Sequence, residues 1–108
     1  PRDLARKLTA SGGLIGLMPH PGFIGTFKRH MKEIEYLAGF APDQVVFGSD
    51  FAGINKTGPT GHMLFEECRG VWGVPGYAER IAAVHGEEFA RAHAGGSLKT
   101  CLQRTLPR

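Results

Sequence analysis

Asp50 is the residue best placed to do chemistry. It follows the short apolar run Gln44-Val45-Val46-Phe47 through Gly48-Ser49, and a run without polar alternation reads as a strand buried on both faces. Barrel enzymes carry their reacting groups at the carboxyl ends of such strands. A carboxylate there can accept the proton of a metal-bound water and pass it to a leaving amine. The plainer reading is a loop aspartate capping nearby backbone amides. His20 sits on the same rim, just past Leu14-Ile15-Gly16-Leu17-Met18, where it could line a substrate pocket. Held between Pro19 and Pro21, it also reads as an exposed turn residue. His30 falls on the apolar stripe of a helix and reads as a core or interface histidine. His62, His85 and His93 have no HxH or HExxH spacing and read as structural or exposed. Neither a Walker motif nor GxGxxG is present, and Ser11 and Ser49 are not in a nucleophile elbow.

These residues need elements to position them. Asp3 is placed to cap a short helix reaching about Ala10, with Leu4, Ala5 and Leu8 as its apolar side and Gly12-Gly13 as its stop. The spacing of Phe27, His30, Met31, Ile34, Leu37 and Ala38 predicts a helix over 27–38, with Gly39 as the residue that ends it. This helix lies between the apolar runs 14–18 and 44–47. The three form a βαβ unit, whose strands should be parallel and joined by a right-handed crossover. Residues 51–61 read as a glycine-rich loop able to hold substrate, and 62–69 as a helix. Pro75-Gly76 opens another helix, with Tyr77, Ile81 and Val84 as its buried side, and a last short one spans about 87–92. Beyond Gly95-Gly96 no period is evident. Residues 1–94 therefore read as one structured unit and 95–108 as a loose tail.

The hydrophobic share of 42% against 21% charged excludes a disordered chain, and 16 glycines suit many strand-to-loop corners. The net charge of +3 is local: every acid lies between Asp3 and Glu88, and the excess resides in Lys99, Arg104 and Arg108. That is a basic tail, so nucleic-acid binding is not expected. No apolar run is long enough for a membrane span. Cys68 and Cys101 form no framework, which suits a reducing compartment and favours the cytoplasm.

Several blocks, in order, resemble the renal (membrane) dipeptidase family of zinc metallopeptidases. Phe47-Gly48-Ser49-Asp50-Phe51-Ala52-Gly53 is similar to that family's Gly-Ser-Asp-Phe-Asp-Gly hallmark. His30-Met31-Lys32-Glu33-Ile34 with Leu37-Ala38-Gly39 resembles the helix before it. Pro1-Arg2-Asp3-Leu4 and Ser11-Gly12-Gly13-Leu14-Ile15-Gly16-Leu17 resemble an upstream passage of bacterial members. His85-Gly86-Glu87-Glu88-Phe89-Ala90-Arg91 resembles the closing block. The likeness covers about residues 1–93.

The resemblance implies the C-terminal part of a TIM-like (β/α)8 barrel, with 14–18 and 44–48 as its last two strands. It implies dipeptides as substrate and two zinc ions whose ligands lie outside this chain. Asp50 would be the catalytic aspartate, and Arg2 would grip the substrate's terminal carboxylate as a planar bidentate donor. A complete barrel takes about 250 residues, so the chain alone is expected to be inactive. Ala52 stands where the family has a second Asp, and Glu88 where it has Asn; substrate preference is open accordingly. Two other readings remain: another amidohydrolase-type enzyme, or a non-catalytic product whose open strand edges favour association with other chains, including copies of itself.

Overall fold

The computed structural model describes residues 2–48 and 74–107. Its centre is a two-stranded parallel sheet. Strand β1 (Ile15–Leu17) pairs with β2 (Val45–Phe47) in the register Ile15 to Val45 and Leu17 to Phe47. Between them run a short helix α2 (Pro21–Ile24) and the long helix α3 (Phe27–Ala38). The chain is therefore mixed α/β, with the parallel strand order that the two apolar runs and the intervening helical period require.

Helix α3 begins where Thr26 Oγ1 accepts from the Arg29 amide. Its buried face is His30, Ile34 and Leu37, the centre of the stripe read from the sequence. Burying Ile34 completely contributes roughly 1.5–3 kcal/mol. Gly39 ends α3 in right-handed conformation, with its amide bonded to Glu35 O, so it is not the left-handed cap that its type suggested. A 3-10 turn over Pro42–Gln44 then delays β2 by one residue. The Gln44 side chain is used elsewhere: its Nε2 donates to both Thr9 O and Gly13 O at 2.7 Å, fastening the start of the sheet to the preceding helix.

That helix, α1 (Arg2–Ala10), is held differently from expectation. Leu4 and Leu8 are exposed. Two cationic side chains lie over aromatic rings of α3 and the residues just after it, Arg2 over Tyr36 at 4.3 Å and Arg6 over Phe40 at 4.5 Å. Tyr36 and Phe40 themselves meet edge to face. The chain leaves α1 through Gly12, whose φ of +85° only glycine adopts without strain.

After β2 the described chain resumes with α4 (Val74–His85), turns at Gly86, and continues through α5 (Glu87–Arg91). Tyr77 and Ile81 enter the core with Ile34 and Ala90. Val84 does not: it is 65% exposed. A π-helical turn, Ala92–Gly96, leads into α6 (Ser97–Thr105). The segment read as a loose tail is thus largely helical. Its Leu98, Leu102 and Leu106 do recur every four residues, but they face solvent; Gly95, with φ 160° and ψ −17°, kinks the chain, and α6 starts anew beyond it. No helix among the described residues is long and apolar enough to cross a membrane.

Candidate functional site

The two strands end level. The Gly48 amide donates to Leu17 O at 3.0 Å, so the chain leaving β2 toward position 50 starts beside the Met18-Pro19-His20 segment that leaves β1. Asp50 itself lies outside the described residues, as do Ala52, the loop 51–61 and the expected helix 62–69.

His20 has a local task. Its Nδ1 accepts the Gly22 amide at 2.8 Å while its carbonyl accepts from Ile24, so it caps α2. A Cβ at Gly22 would stand 2.7 Å from the imidazole Cε1; the glycine is what lets the ring fold back. Arg2 lies at the outer side of the fold, in a groove of about 440 Å³ that includes Thr26, Arg29, Lys32, Glu33 and Tyr36. The Arg2 guanidinium lies over the Tyr36 ring, 4.3 Å from its centroid. Arg2 and His20 are thus set on different elements, one on α1 against α3 and the other at the mouth of β1.

Among the described residues the densest polar arrangement is elsewhere, and the sequence reading missed it. His30 Nε2 lies 2.8 Å from Tyr77 Oη, and Tyr77 Oη lies 2.9 Å from His93 Nε2. His93 Nδ1 lies 2.9 Å from Val45 O. All three side chains are essentially inaccessible, at 0, 1 and 1% exposure. The proton positions follow from chemistry. A carbonyl oxygen can only accept, so His93 Nδ1 donates and, in the neutral ring, Nε2 accepts. Tyr77 must then donate to His93 and accept from His30 Nε2–H. Burial holds the His30 pKa down at about 4, with His93 adding to the effect. Burial also lowers His93, against the raising influence of its bond to Val45 and with a further lowering from His85. Both rings are therefore neutral at pH 7. Around them pack Phe27, Phe47 and Phe89, the last stacked on His93 at an 11° interplanar angle.

His30 was foreseen as a core histidine on its stripe, and Tyr77 as a buried helix residue. His93 carried no such signal, since 47 residues separate His30 from Tyr77 and 16 separate Tyr77 from His93. No group of three or more His, Cys, Asp or Glu able to hold a metal exists among the described residues. The resemblance places the ligands of its two zinc ions outside this chain, so the described residues would not be the ones to hold them. Comparison with family models, curated proteins and solved structures finds no match. The likeness to the dipeptidases rests on the quoted motifs alone.

Proposed function

We propose that this chain is the C-terminal part of a metal-dependent dipeptidase of the renal type, forming the last two strands of a TIM-like barrel. The supporting observation is the parallel βαβ unit with level strand ends, which starts the Gly48-Ser49-Asp50 segment beside the turn carrying His20. In this reading Asp50 moves the proton between water and the leaving amine. Arg2 takes the free carboxylate of the dipeptide, and His20 lines the pocket from its capping position. The zinc ligands belong to residues other than those described, and no step is assigned through the ions.

The chain by itself, supplied with zinc, is inactive toward dipeptides on this reading. Expressed together with the coding sequence that precedes Pro1, it hydrolyses them, and Asp50→Asn lowers that rate by about 10²-fold or more. Hydrolysis by the chain alone at the rate of an intact enzyme would overturn the reading. So would an Asp50→Asn protein that keeps full activity. An upstream His-x-His or a bridging lysine would move the assignment to another amidohydrolase-type enzyme.

A second reading, a non-catalytic product that associates with other chains, draws on the exposed Leu98, Leu102 and Leu106 stripe of α6 and the short two-stranded sheet. Light scattering separates the two: a strictly monomeric chain with one sharp unfolding transition counts against it.

A further inference from the structure

The two outer edges of the sheet differ. Backbone groups along a strand address its edges alternately. The Gly48 amide bonds Leu17 O, so Ile15 and Leu17 face β2, while Leu14, Gly16 and Met18 turn to the other side of β1. Val46 in turn faces β1, and Val45 points to the far side of β2, where its carbonyl meets His93 Nδ1 at 2.9 Å. The edge of β2 is thus covered by the π turn. The edge of β1 is open. Gly16 is exposed, and its amide and carbonyl bond to nothing among the described residues. A Cβ placed on it would meet no atom within 4 Å. Met18 O accepts the His20 amide, but the Met18 amide and both backbone groups of Leu14 also find no partner among the described residues.

Exposed edges in natural sheets carry a lysine, a proline or a bulge that stops a further strand from adding. Gly12-Gly13-Leu14-Ile15-Gly16-Leu17-Met18 has no charged residue and no proline. Pro19 comes only after the last outward group. The outward row is Leu14, Gly16, Met18, with a large side chain at either end and none in the middle. Reversed, it has the same shape. A copy of β1 laid antiparallel about Gly16 sets glycine opposite glycine and Leu14 opposite Met18. The two glycines exchange amide-to-carbonyl bonds, and each Met18 amide reaches the Leu14 carbonyl across from it. No charge faces another. The sheet grows from two strands to four, past the minimum of about three that a sheet needs for stability of its own.

We propose that the outer edge of β1 is a dimerisation surface, on which β1 of a second copy of this chain adds antiparallel with Gly16 opposite Gly16. The inference rests on the association reading above and gives it a surface. In the dipeptidase reading a preceding barrel strand takes the same edge in the intact protein. One short strand a side is a small interface, so the dimer is weak.

Sedimentation equilibrium of the chain from roughly 10 µM to 1 mM spans a dimer of that strength, and amide exchange by NMR over the same range locates it. The mass should approach that of a dimer as concentration rises. The Gly16 and Met18 amides should gain protection by about tenfold or more, and by more than Ile15 and Leu17, which are already bonded to β2. Gly16→Lys and Gly16→Glu both have room for the new side chain and set like charges face to face across the two-fold axis. Each should weaken the dimer about tenfold or more, and an equal mixture of the two should restore it. A dimer whose Gly16 amide exchanges as in the monomer overturns the proposal, as does a Gly16→Lys chain that dimerises like wild type; both leave the association reading standing through another surface, such as the leucines of α6. A chain that stays monomeric throughout overturns the two together. Exchange in the wild-type chain decides the matter even where neither variant folds.

Discussion

Two regions of this molecule carry its polar chemistry, and they are built in opposite ways. The rim read at the ends of β1 and β2 draws on residues close in sequence to a strand end: His20 three residues after β1, and Asp50, outside the described residues, three after β2 in sequence. The interior relay of His30, Tyr77 and His93 is assembled from α3, α4 and the π turn, and it closes on the backbone of β2. In the relay each hydrogen bond fixes the tautomer of the next ring, so a change at one member is felt by all three.

The contrast is broken most directly at the rim. In the protein joined to its upstream coding sequence, Asp50→Asn should cost about 10²-fold or more in dipeptide hydrolysis and leave the thermal midpoint within a few degrees of wild type, as steady-state kinetics and calorimetry would record. A parallel fall in stability would mean that Asp50 caps backbone amides and does no chemistry.

The relay should respond to acid instead. Both imidazoles are neutral in the fold, with pKa values below the ordinary 6.5, so on acidification the unfolded chain takes up protons first. Stability is then flat above pH 6.5 and declines from there toward pH 4, where His30 protonates in the fold as well. For His30 alone the change is on the order of 3 kcal/mol. Urea unfolding at pH 7.5, 6, 5 and 4 measures it. A midpoint that rises on acidification would contradict neutral, buried rings.

A smaller effect follows from removing one link. Tyr77→Phe keeps the ring that packs against Phe47 and Phe27 but leaves the Nε2 atoms of His30 and His93 without the phenol. It should cost roughly 1–3 kcal/mol at neutral pH by denaturant unfolding. A neutral or stabilised variant would show that the hydroxyl contributes nothing and that the aromatic cluster alone holds α4 to β2.

What the sequence disclosed follows the same division. The bounds of α3, the two parallel strands and the burial of Ile34, Tyr77 and Ile81 were legible, because a 3.6-residue stripe and an unbroken apolar run are each set by local burial. Leu4, Leu8 and Val84 have the right type and spacing and still face solvent; periodicity says which side is apolar, not whether a neighbour covers it. α6 was hidden behind Gly95-Gly96: Gly95 does kink the chain there, but a second helix starts directly after it. The relay could not be read at all. Its members announce themselves as core residues one at a time, and only the packing of α4 on α3 makes them a chain.

Arg2 stands between the two regions and is the finest probe of the difference. It belongs to the rim by resemblance, yet what it visibly does is stack on Tyr36 beside a second pair, Arg6 on Phe40. With Leu4 and Leu8 exposed, these stacks, the Gln44 bonds and buried Thr9 help tie α1 to the body. An exposed cation over an aromatic ring is worth about 0.5–1 kcal/mol. Arg2→Ala should therefore lower the unfolding free energy by no more than that, and Arg6→Ala by a similar amount. In the joined protein the two should part: Arg2→Ala should raise KM for a dipeptide about tenfold or more through loss of the carboxylate contact, while Arg6→Ala leaves KM unchanged. Equal kinetics in the two variants would reduce Arg2 to a packing residue and leave Asp50 alone to carry the enzymatic reading of the rim.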